Sequence, residues 1–97
     1  MSERYYTRTE LFEMLEVETD FVVSLERESI ISVDAPPGSG GEFSGRMVER
    51  VRVAHNLVQD LEVNLAGVGI IVRMREELVA KRRNLERVLL ELQRREG

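Results

Sequence analysis

Asn64-Leu65-Ala66-Gly67-Val68-Gly69-Ile70-Ile71 divides the chain into two parts of different kind. Asn64 has the side chain to cap the free backbone N–H groups that open a helix. Val63, just ahead of it, is placed to pack on Val68 as a hydrophobic staple. Gly67 and Gly69 each cost a helix roughly 1 kcal/mol against alanine, so their presence in a first turn predicts another element lying close against it. Beyond this stretch Ile71, Leu78, Leu85 and Leu92 recur every seven residues, the spacing of a coiled-coil seam. The companion seam is broken: Val68 and Leu89 fit it, but Arg75 and Arg82 fall between them. The helix is expected to run from Leu65 to about Arg95. So long a helix cannot bury its stripe on so small a body, and therefore needs a partner helix, most simply its own copy in a homodimer, parallel or antiparallel. The expected division is a compact unit over residues 1–62 and a projecting dimerisation helix over 63–97, with Ile71, Leu78, Leu85, Leu89 and Leu92 as the contacts.

Upstream, Met47, Val51, Ala54, Val58 and Leu61 recur at 4-3-4-3 spacing, which predicts an amphipathic helix capped by Ser44 or Gly45. Ala35-Pro36-Pro37-Gly38-Ser39-Gly40-Gly41 is the strongest turn signal in the chain. It lies between Ile30-Ile31-Ser32-Val33 and Glu42-Phe43-Ser44, which together read as a two-stranded hairpin. Further forward, Thr7 followed by Glu10 makes a capping box, with Thr9 a second cap candidate. Leu11, Phe12, Met14 and Leu15 give a short helix ending near Glu16. Thr19 or Asp20 caps the next, whose inner face is Phe21, Val22, Leu25 and Ile30. A short helix, a tight turn and a second helix is the helix-turn-helix outline, here followed by a hairpin wing. The fold expected is thus mainly α: a winged helix-turn-helix with a small β-hairpin wing and a long C-terminal coiled-coil helix.

The totals narrow the chemistry. Ninety-seven residues suit one small domain with an extension. No apolar run approaches the roughly 20 residues of a membrane span, and Met1-Ser2-Glu3-Arg4 is followed by no apolar core of a signal peptide. Cysteine is absent, which excludes disulfides and thiolate chemistry and fits a cytoplasmic protein. His55, the one histidine, sits beside an apolar stripe with no serine aimed at it, and no metal-ligand spacing appears. The glycine-rich turn lacks the Gly-Lys-Ser/Thr ending of a phosphate cradle. No enzyme, cofactor or metal is expected.

The order of elements, together with Tyr6-Thr7-Arg8-Thr9-Glu10-Leu11 and Leu61-Glu62-Val63-Asn64-Leu65-Ala66-Gly67-Val68, resembles the MerR superfamily over nearly the whole chain. It is similar to two branches: the heat-shock repressors of chaperone operons, and the chaperone-modulator (CbpM-like) proteins, which bind the J domain of a DnaJ-like co-chaperone. The tract from Asn56 to Leu78 aligns with the second branch without a gap.

Charge favours the second branch. Residues 1–34 carry nine acids and three arginines, whereas residues 45–97 carry eight acids and eleven bases. DNA-binding members of the superfamily typically place several arginines on the second helix. Here Glu18-Thr19-Asp20-Phe21-Val22-Val23-Ser24-Leu25-Glu26-Arg27-Glu28 holds four acids and one base, and the wing has no base. Such a face is repelled by phosphates, whose neutralisation supplies most non-specific affinity for DNA. Arg46, Arg50 and Arg52 could still touch one strand. The resemblance implies instead a cationic J-domain partner, met by Glu13, Glu16, Glu18, Asp20, Glu26 and Glu28. The apolar anchor would come from whichever of Phe12, Val17, Val22 and Val23 lies outside the core. The alternative is a DNA-binding regulator of the heat-shock kind.

Overall fold

The computed structural model describes residues 3–96. In chain order these form β1 (Tyr5–Tyr6), α1 (Arg8–Leu15), α2 (Thr19–Arg27), β2 (Phe43–Ser44), α3 (Gly45–Leu61) and α4 (Leu65–Glu96). The architecture is the mainly helical, winged helix-turn-helix arrangement expected, ending in a long helix.

Local chemistry sets the boundaries. Thr7 Oγ1 accepts from Glu10 N at 3.1 Å, and the Glu10 carboxylate accepts from Thr7 N at 3.1 Å, closing the capping box at the front of α1. That backbone bond, with help from Arg4, holds the Glu10 carboxyl below its ordinary pKa. Glu16 ends α1 in the left-handed region at φ 52°. The cap of α2 is Glu18, just ahead of Thr19 and Asp20, the candidates read from sequence, and it makes no side-chain cap bond. Ser44 caps α3, accepting from Met47 N at 3.3 Å. Asn64 Oδ1 accepts from Gly67 N at 2.9 Å at the start of α4.

The wing differs from the hairpin expected. Residues 30–33 form no strand. Ile30 and Ile31 are drawn into the core instead, and β2 pairs antiparallel with β1, Tyr5 opposite Ser44 and Tyr6 opposite Phe43. The wing is a loop clasped at its neck: Asp34 N and Ala35 N donate to the Glu42 carbonyl at 3.1 and 3.2 Å. The Asp34 carboxylate accepts from Ser44 N and Oγ at 2.7 and 2.6 Å. At its tip Ser39 N reaches back to Pro36 O at 3.2 Å, with Gly38 at φ +81° in the third position of the turn, where a side chain would be strained.

One apolar cluster holds these elements together. Leu11, Val17, Val22, Leu25, Ile30, Ile31, Phe43, Met47, Val51, Ala54, Val68 and Val72 are all buried. Val68 and Val72 show that the first three turns of α4 belong to the body. Each such side chain contributes about 1.5–3 kcal/mol by leaving water. Of the two glycines in α4, Gly67 leaves room for Val63, and Gly69 lies against Ile30. A Cβ on Gly67 would stand 2.9 Å from Val63 Cγ1, and one on Gly69 3.5 Å from Ile30 Cγ1. Val63 thus folds over Gly67, and Ile30 is the close neighbour that the small residues announced. Two stripe residues depart from expectation. Leu61, at the end of α3, is 67% exposed because α4 turns away at Glu62 (φ 54°), and Val58 only flanks the core.

An ion-pair clamp then fixes α4 against α3. Arg50, its side chain only 13% exposed, donates to both Glu76 oxygens at 2.9 and 2.7 Å and to the Ile30 carbonyl at 2.8 Å. Arg46 adds a contact to Glu76 at 3.1 Å. Arg50 first, then Arg46, pulls the Glu76 carboxyl down to about 2, against the opposing cost of burial.

Candidate partner-binding surface

The acids of the helix-turn-helix fall into two groups. Glu26 faces inward. Its two oxygens take Arg8 NH1 and NH2 at 2.6 and 2.8 Å, and this pairing holds its carboxyl below the ordinary range. Arg8 also reaches Glu42 at 2.8 Å and lies 5.1 Å above the Phe43 ring. It therefore ties α1, α2 and the wing together, and Glu26 is occupied there. Glu13, Glu16, Glu18, Asp20 and Glu28 are exposed and enter no ion pair among the described residues. Their charge is uncompensated.

The apolar candidates sort as sharply. Val22 is fully buried between the helices and serves the core, so it cannot touch a partner; Val17 is buried as well. Val23 and Phe12 are half-buried. Met14, one of the four apolar residues that mark α1 in the sequence, is 50% exposed. With Leu11, Phe12 and Leu15 defining the buried arc, residue 14 lies about 100° from its centre at 3.6 residues per turn, a signal that was available. Val33, 54% exposed in the wing, is a second apolar group outside the core.

Where the α1–α2 turn meets α3, a concavity is lined by Glu16, Glu18, Phe21, His55 and Gln59. The His55 ring meets Phe21 edge-on, centroids 5.6 Å apart. Two carboxylates beside an aromatic ring suit the end of a basic side chain, which gains both from charge and from the ring face.

The α3 bases within reach of a phosphate strand all enter ion pairs. Arg46 and Arg50 grip Glu76, and Arg52 is paired with Glu49. On the head, Arg4 pairs with Glu10 while lying over Tyr6, and Arg8 is held as above. Arg27, at the end of α2, is exposed and enters no ion pair among the described residues.

The expected dimer contacts all lie in the open. Ile71, Leu78, Leu85, Leu89 and Leu92 are exposed along α4, and Met74, Val88 and Leu90 join them. Val68, counted in the companion seam by its spacing, points instead into the core. No helix of the described residues is long and apolar enough to cross a membrane.

No curated protein and no solved structure matches the chain. A family model described as MerR HTH family regulatory protein matches residues 6–94. That span takes in the second residue of β1, the helix-turn-helix, the wing and nearly all of α4, and the chain belongs to this MerR helix-turn-helix family of regulatory proteins.

Proposed function

We propose that this protein is a non-enzymatic, cytoplasmic chaperone modulator that acts as a homodimer. Its acidic helix-turn-helix surface binds the J domain of a DnaJ-like co-chaperone and tunes or blocks that domain's contact with Hsp70. The observation that carries this reading is the sign of the head. Five uncompensated acids stand on or beside α1 and α2, where a DNA reader needs bases, and the neighbouring arginines of α3 are already bound to glutamates. Opposite fields of this kind speed encounter and select the partner. Glu13, Glu16, Glu18, Asp20 and Glu28 supply the charge. Met14, Val23 and the ring of Phe21 supply apolar contact. Glu26 acts from behind, by holding Arg8.

The test is a titration of the protein with the J domain encoded near it, at low and at high salt. Binding that weakens as salt rises is expected. Absence of binding at low salt would defeat the proposal. Family membership supports a second reading, a DNA-binding regulator of the heat-shock kind. Operator-specific gel shifts whose affinity falls steeply with salt would favour it.

A further inference from the structure

At about 100° per residue, the leucine row of Ile71, Leu78, Leu85 and Leu92 drifts over an arc of about 60° on α4. The opposite side, about 170° round, is taken by Glu76, Ala80, Arg83, Arg87, Leu90 and Arg94. Glu76 is already neutralised by Arg50 and Arg46. Past it, this side carries no acid as far as the described end of the helix. Arg83 enters no ion pair among the described residues, and Arg87 donates to the neutral Asn84 amide at 2.9 Å. Arg94 is 78% exposed and stands 3.6 Å from Glu91. Leu90 lies among these bases, 60% exposed and about 130° from the leucine row, so packing on that row leaves it open. Near the body the strip runs out of a concavity that Arg46 of α3 and Val79, Ala80 and Arg83 of α4 help to line.

We propose that this basic side of α4 docks the acidic helix-turn-helix head of another copy. The contact is heterologous, the head of one chain on the rod of the next. The docked copy is not one packed on the leucine row, because that row faces the other way. The contact goes beyond the partner reading above and stands without it. Where a cationic partner binds the same acids, partner and rod exclude each other, and the head stays covered until a stronger cation displaces the rod.

Charge, apolar content and spacing favour this occupant. Glu13, Glu16, Glu18, Asp20 and Glu28 of the head are exposed and enter no ion pair among the described residues, and Arg27 is the one base of α2. Met14 stands exposed beside Glu13, an apolar counterpart to Leu90 among the bases. Asp20 and Glu28, at the two ends of α2, are about 12 Å apart along its axis, and Arg87 and Arg94 are about 10 Å apart along theirs. A phosphate backbone matches the three arginines in sign but offers Leu90 no such counterpart. Net charge sets the conditions. Each copy carries −4, so whole molecules repel at very low salt. At about 0.1 M salt the Debye length is about 10 Å; distant charges are then screened, while groups in contact still attract.

Sedimentation velocity of the full chain over a concentration series, at about 0.1 M and about 0.5 M salt, reads the contact. Association beyond the base species is expected at the lower salt and lost at the higher. Arg83→Glu with Arg87→Glu reverses the rod, and Glu18→Lys with Asp20→Lys reverses the head. All four positions are exposed and outside the core, so each variant should keep its helical circular dichroism. Either reversal alone should weaken the association about tenfold or more. An equimolar mixture of the two variants should restore it, because each then finds an opposite face on the other. No salt-sensitive association at micromolar concentration, a reversal without effect, or a mixture that stays apart would overturn the contact. Binding of random-sequence duplex DNA that the rod reversal abolishes, in a chain that does not self-associate, would assign the strip to a polyanion and overturn it too. The J-domain titration reads the head alone, so the two proposals fail separately.

Discussion

The two ends of α4 are made of similar residues and live in opposite conditions. Near its start, Val68 and Val72 are buried, Gly69 lies against Ile30, and Glu76 is gripped by two arginines. Toward its end, Leu78, Leu85, Leu89, Leu90 and Leu92 are between 48% and 65% exposed. The first half has one face finished within the chain, though Ile70, Ile71 and Met74 stand open on its other side, and the second half has none. Composition does not separate them; what separates them is whether another element of the same chain is within reach.

The sharpest way to break this contrast is Leu78→Ala with Leu85→Ala. If the far half is completed by a second copy, the dimer should lose roughly 5 kcal/mol, a several-thousandfold rise in Kd. The head's thermal unfolding in the isolated subunit should be unmoved. Analytical ultracentrifugation over a concentration series would measure the loss, and an unchanged dimer would place the interface elsewhere. The opposite pattern belongs to Leu25→Ala in the core, which should cost about 3 kcal/mol of folding free energy in denaturant titrations.

Next in size is the clamp. The Glu76 carboxyl is held at about 2 in the folded chain, against 4.5 for the ordinary group. A depressed carboxylate stabilises above its unfolded pKa, so this contribution is complete above about pH 4.5 and drains away as the pH falls toward 2. Glu76→Gln should lower stability at neutral pH by on the order of 2 kcal/mol, since it leaves Arg50 largely enclosed beside a neutral amide. It should also flatten the pH profile below 4.5; a parallel loss with acid in variant and parent would show that other groups govern it. Thr7→Ala, which opens the capping box, should cost about 1 kcal/mol. Smallest of all is the paired change Glu18→Gln with Asp20→Asn, expected to move folding by no more than about 0.5 kcal/mol while weakening J-domain binding several-fold.

Much of the fold was legible because it is written in short-range chemistry. Thr7 with Glu10, Ser44, and Asn64 are caps whose geometry needs only the next three residues. The glycines at 67 and 69 signalled a close neighbour before Ile30 was known to be that neighbour. The strand at 30–33 was misread because β-branched residues in a row serve a core as well as a sheet, and the true partner of Phe43–Ser44 lies some forty residues back at Tyr5–Tyr6. The charged surface was legible in sum and not in detail. That Glu26 is held by Arg8, while Glu13 and Glu18 stand free, depends on a contact across eighteen residues. Val22, legible both as inner face and as anchor, is core, and Met14 is surface, for a related reason: periodicity gives a helix its arc, and packing fixes where that arc is centred.

The grip of Arg50 on Glu76 works near the pivot of a long rod. From Glu76 to its end at Glu96 the helix reaches about 30 Å, so a tilt of only 5° at the clamp would swing the far tip by about 2.6 Å. Two charged groups set between α3 and α4 thereby act as an aiming device, and the tolerance with which distant leucines can find their mates is set where neither of them is found.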